Sequence, residues 1–140
     1  MTAINGFSTS MEQNLLSLPL GSVPYTAPGT WYLALYSVAP TKAGGGTEFS
    51  TFGYARKAIT NNTTNFPQAN PTVNGVVLSV GPAVGGTWPL PVAWGLHSHI
   101  TNDSLCFGGA ITGDAATNAC GPGDTVNIAI GALTVSMANT

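Results

Sequence analysis

In 140 residues this chain carries three Lys or Arg and five Asp or Glu, a charged fraction of 6% and a net charge of −2. A soluble domain is ordinarily about 25% charged, and Lys42, Arg56 and Lys57 are too few to neutralise the phosphates that nucleic-acid binding engages, which excludes nucleic acid as a partner. Residues 58–102 have no Asp, Glu, Lys or Arg, yet Pro67, Pro71, Pro82, Pro89 and Pro91 break the span, and no apolar run reaches the ~20 residues of a membrane helix.

With membrane and nucleic acid set aside, so little charge implies a surface committed to neighbouring subunits, because monomers normally stay soluble through mixed and net charge. Hydrophobic residues at 44% are enough to build a core, and the length suits one domain. The 18 glycines and ten prolines fall between apolar runs, where they act as turn punctuation. The N-terminal stretch MTAINGFSTSMEQ has neither a basic region nor an apolar core, so no signal peptide is expected. Cytoplasmic synthesis would keep Cys106 and Cys120 reduced unless later exposure oxidises them. Their spacing matches no zinc motif.

In chain order, the first expected element is a helix over residues 9–18. Thr9 and Glu12 have capping-box spacing, Met11, Leu15 and Leu18 share a helical face, and Pro19 with Gly21 should end it. TWYLALYS (30–37) is apolar on both faces, with Trp31, Leu33 and Leu35 opposite Tyr32, Ala34 and Tyr36, and reads as a central strand covered on each side. A glycine-rich loop (39–48) follows. Further strands are expected at 52–60, 74–80, 92–100, 104–111, 124–130 and 132–137, with Thr101-Asn102-Asp103 as a hairpin loop. The fold class is therefore all-β: a single β-sandwich or a Greek-key or jelly-roll-like domain of about seven strands with one short N-terminal helix. Residues 1–22 form the helical arm and 23–140 the β-sandwich.

Chemistry is sparse. His97 and His99 would share a face of a strand and, with Asp103 or a histidine of another subunit, are the only candidates for a metal site, which needs a third ligand; packed or interface histidines account for them as well, and no metal or cofactor is expected. There is no G-x-S-x-G elbow and no P-loop lysine. The carboxylates Glu12, Glu48, Asp103, Asp114 and Asp124 are scattered, so no catalytic residue is assigned and the chain is expected not to be an enzyme. Arg56 either pairs with Glu48 across the loop or reaches a neighbouring subunit. Trp31, Trp88 and Trp94 are core or interface anchors, or with Tyr25, Tyr32, Tyr36 and Tyr54 a platform for stacking sugars. The interface candidates are thus Trp31, Arg56, Trp88 and Trp94.

Three segments, in order, carry a resemblance: PYTAPGTWYLALYSVAPTKAGGGTEFSTFGYARKAIT (24–60), VAWGLHSHITNDSLCFGGAI (92–111) and GPGDTVNIAIGALTVSM (121–137). Together they resemble a widespread family of small tailed-bacteriophage virion proteins, often labelled tail-fibre-like, collinearly over about residues 7–137. The proline-rich segment 61–91 fits that pattern least. The resemblance implies a β-sandwich building block of the virion, made in the bacterial cytoplasm, with no catalytic residues to transfer. The chain has no long coiled coil or fibrous repeat, which favours a capsid decoration (cement) protein that binds the major capsid protein and stabilises the assembled head. A tail-fibre or minor tail or baseplate component, bound to tail proteins of the same phage and involved in host attachment, is the alternative. A glycan-binding module is the alternative of another class. Association with copies of itself, as a trimer or dimer through aromatic and proline-rich surface, is expected in either virion location.

Overall fold

The computed structural model describes residues 2–112 and 119–137; Asp114 lies outside them. Ten strands and one helix occur among the described residues: β1 (Gly6–Phe7), α1 (Thr9–Gly21), β2 (Thr30–Val38), β3 (Thr47–Glu48), β4 (Lys57–Thr60), β5 (Thr72–Val73), β6 (Leu78–Val80), β7 (Ala93–His97), β8 (Leu105–Ala110), β9 (Val126–Ile128) and β10 (Thr134–Val135). All the ladders are antiparallel. The fold is an all-β, sandwich-like domain with one short helix.

The main sheet runs β1-β8-β7-β2-β3, and β4 shares the outer edge of β2 with β3. β2 is central because both its faces are apolar, and its residues 33–36 are all buried. One face, with Trp31, Leu33, Leu35, Trp94 and Leu96, packs on Leu78, Val80, Val126, Ile128 and Leu133 from the second layer, where β6 pairs β9 and β5 pairs β10. This is the main core, and each large apolar side chain buried there contributes about 1.5–3 kcal/mol. The opposite face, with Ala34, Tyr36, Ala93 and His97, is covered in part by Ile4 of the N-terminal segment and Ala39 of the loop after β2. Ile4 N–H donates to the Pro40 carbonyl (2.8 Å) and Thr9 N–H to that of Lys42 (2.9 Å). Residues 6–7 of the expected arm are thus a strand of the main sheet, paired to Gly108 and Phe107.

The helix departs from expectation at both ends. Its N-cap is Ser8, whose hydroxyl accepts from Met11 N–H at 3.2 Å, one residue before the expected Thr9. Pro19 does not stop it. The proline sits in the last turn, where the chain forgoes one hydrogen bond and continues to Ser22, which takes φ 52 while Val23 N–H donates to Ser17 O at 3.1 Å. Of the expected apolar face only Met11 is buried, and Leu18 is exposed.

The six expected strands after β2 are all shorter than the pattern implied, and two of them start four or more residues late. Pairing over 52–60 begins only at Lys57, because Phe52 and Gly53 adopt positive φ of 55° and 76°, off the pleat. In 74–80 the strand begins at Leu78. There the buried Asn74 amide donates to the carbonyls of Val76 and Ala129 (both 2.8 Å) and accepts from Leu133 N–H (2.9 Å), replacing ladder bonds with a side-chain corner. The three additional strands β1, β3 and β5 are two residues long, too short for periodicity to mark.

Candidate functional site

The chain's polar chemistry converges on the face opposite the main core. His97 ends β7 and Tyr36 lies near the end of β2; they are not register partners, since Tyr36 opposes Ala93 and His97 opposes Tyr32. Gly95 lies between them and lets the Tyr36 ring lie along the sheet. A Cβ at Gly95 would come within 3.0 Å of Tyr36 Cε2 and 2.7 Å of Leu105 Cδ1. The Tyr36 hydroxyl therefore reaches His97 Nε2 at 2.6 Å, with the two rings stacked at 6.3 Å. On the other side of the imidazole, Ser104 N–H donates to Nδ1 at 3.3 Å. That donor assigns the proton to Nε2, so the imidazole donates to the tyrosine oxygen.

Beside this pair is the Arg56 clamp. Its Nε and Nη2 each donate to Glu48 at 2.8 Å, a two-pronged carboxylate pair, and Nη1 donates to the carbonyls of His99 and Asn102, also at 2.8 Å. Glu48 Oε1 also accepts from the Tyr54 hydroxyl (2.9 Å), and that hydroxyl accepts from Leu35 N–H (3.0 Å). The clamp joins β3, the segment before β4 and the hairpin between β7 and β8.

Environment sets the charges. Burial, and then the Arg56 charge, push His97 down to about 4, so it is neutral at pH 7. Burial raises the Glu48 carboxyl, but hydrogen bonds from Arg56 and its charge outweigh that and hold it below the usual carboxylate range. Burial raises the Tyr36 hydroxyl, with Glu48 adding to the effect, and burial raises that of Tyr54 well above its ordinary value. Arg56 is held above its ordinary value: burial lowers it, and the Glu48 hydrogen bonds and charge overcome this. An open cleft of ≈ 260 Å³ lies over these groups, bounded also by Gly45, Gly46, Thr101 and Asp103.

The sequence-derived candidates are distributed as follows. His97 and His99 are not presented together: β7 ends at His97, and His99 is exposed in the turn with its Nδ1 3.0 Å from Ser98 Oγ. Both ring nitrogens of His97 are taken, and among the described residues no group of three or more His, Cys, Asp or Glu is disposed to hold a metal ion. Asp103 lies beside Gly44, its Oδ2 3.0 Å from where a Cβ would be. The tryptophans proposed for an interface are interior. Trp31, Trp88 and Trp94 are 6%, 1% and 2% exposed, and the Trp88 indole N–H is used inside the chain, donating to the Thr51 and Phe52 carbonyls (3.0 and 3.1 Å). Burial corrects the interface assignment for Trp88 and Trp94 and removes all three as a sugar-stacking platform, while an edge of Trp31 still lines the groove beside α1. Arg56 pairs with Glu48, the first of its two sequence readings, and its side chain is 6% exposed. Cys106 and Cys120 are free thiols.

The Tyr36–His97 contact had no sequence signal, because it depends on register across a sheet and on a glycine in the neighbouring strand. The arrangement as a whole cross-braces loops: every nitrogen of His97 and of the Arg56 guanidinium is hydrogen-bonded within the chain.

Comparison with known proteins places this architecture. The family described as podophage GP4 fiber I protein gp80 matches residues 6–136. The chain belongs to this family. The match runs from β1 to the residue after β10, so it takes in both layers of the fold and the helix between β1 and β2. Membership in the gp80 family makes the chain a phage virion protein of the fibre type. No curated protein matches the sequence. Among the described residues no helix is long and apolar enough to cross a membrane.

Proposed function

We propose that this chain is a non-enzymatic structural subunit of a tailed-phage fibre, assembled with copies of itself and with tail proteins of the same phage. The observation that carries this reading is the match to the fibre family over residues 6–136, and it moves the balance away from the head-decoration role that the sequence favoured. The polar cluster supports the absence of catalysis. A nucleophile or general base must be free to reach a substrate, whereas the His97 nitrogens are occupied and the ring is 1% exposed. The low charge of the chain supports assembly, since surface that is buried between subunits has no need of solvating ions. Labelling the chain on intact particles tests the reading: density on the fibres is expected, and density on the head shell would return the decoration role.

A further inference from the structure

The helix side of the molecule carries a ridge and a groove of matching chemistry. α1 is 13 residues long and buries Met11 alone; Leu16 and Leu20, four residues apart on one helical face, are 60% and 81% exposed, with Val23 just beyond at 53%, while Leu18 lies on the face of Met11 and Leu15. A helix of this length is marginal in water without packing, and contiguous exposed apolar surface marks a contact site. Next to it is a groove of ≈ 420 Å³ bounded by Leu15, Phe66, Val135 and the aromatic residues Phe7, Phe107 and Trp31. Those three rings form an edge-to-face row, with Phe107 5.2 Å from Phe7 and 5.3 Å from Trp31.

The chemistry of the groove selects its occupant. Among the described residues no charged one lines it, so a partner bringing charge there would bury it unpaired, at high cost. Residues 13–41 of this chain have no Asp, Glu, Lys or Arg, and the C-terminal half of α1 supplies aliphatic side chains with no ion to desolvate. A cavity of about 150 Å³ holds one benzene ring, so the groove has room for more than one leucine. Leu15 belongs both to α1 and to the groove wall. A molecule that inserts its leucines therefore presents its own groove to the partner, and a reciprocal contact closes as a two-fold pair.

We infer that the C-terminal half of α1 docks into the apolar groove of a second copy of this chain, with Leu16 and Leu20 facing the Phe7–Phe107–Trp31 row. This rests on the proposed function only in that copies associate. The test is the mass of the full chain in sedimentation equilibrium, beside the L16S/L20S variant. A wild-type dimer is expected, with an about twofold lower mass for the variant and an unchanged circular dichroism spectrum. A wild-type monomer overturns the inference, including one whose groove is filled by another virion protein. A dimer indifferent to the two serines overturns it too. Should the variant unfold, a mixture of Leu20→Cys and Ala69→Cys chains decides: Ala69 borders the groove, so a mixed disulfide is expected, and its absence overturns the docking. Particle labelling separates the two readings, since a monomeric chain located on fibres would sink the docking and leave the fibre role standing.

Discussion

The Tyr36 hydroxyl and His97 Nε2 lie 2.6 Å apart, bridging two strands over a glycine on the sheet face that is turned away from the tryptophan core. Tyr36 is 3% exposed and His97 1%, so water has little access to replace the bond. Tyr36→Phe keeps the ring and its packing but leaves the His97 Nε2–H without an acceptor, which costs about 1–3 kcal/mol. Urea unfolding is expected to show a lower midpoint with an unchanged slope. An unchanged midpoint would mean that the bond contributes nothing.

The same histidine predicts a pH dependence. Unfolded, it takes a proton near its ordinary value of 6.5; folded, it does so only at about 4. Between those values the unfolded chain binds more protons, so stability is full above about pH 6.5 and falls as pH drops toward 4, by about 3 kcal/mol in total. Glu48, held low in the folded chain, adds a loss at more acidic pH as it protonates. His97→Gln is expected to flatten the upper part of the curve and leave the Glu48 part. A variant with the wild-type slope between pH 6.5 and 4 would refute the assignment.

Arg56→Lys keeps the charge but loses the fork that joins Glu48 to the His99 and Asn102 carbonyls. A destabilisation of about 1–2 kcal/mol is expected, with the loss concentrated in the hairpin between β7 and β8. Amide hydrogen exchange should accelerate at residues 98–104 more than in β2. Glu48→Gln, which leaves the largely buried guanidinium without its counter-charge, should cost more, about 2–4 kcal/mol.

Asn74 ties the start of the β6 segment to the turn after β9 and to Leu133. Asn74→Ala removes all three hydrogen bonds and leaves buried backbone groups unpaired, a loss of about 3 kcal/mol. Asn74→Asp is also expected to destabilise, because a carboxylate cannot donate to the Val76 and Ala129 carbonyls. Thermal melts of the two variants check this, and wild-type stability in either would contradict it.

Much of this protein was determined locally and so was legible in its sequence. The two apolar faces of residues 30–37 identified the central strand, because alternation reports burial on each side of a pleat. The composition identified a chain whose surface is poor in charge, and Glu48 and Arg56 were near enough in sequence for their pairing to be read across one loop. Periodicity says that a face is covered, though, and not what covers it. The tryptophans therefore read equally as core or interface, and only the second layer of β5, β6, β9 and β10 assigned them to the core. Pro19 read as a stop, whereas the last turn of a helix tolerates the missing bond. Tyr36 and His97 stand 61 residues apart, and Asn74 reaches a turn 55 residues away. Contacts of that separation depend on sheet register and on which strand lies next to which, and these are settled by the packing of the whole chain rather than by any segment of it.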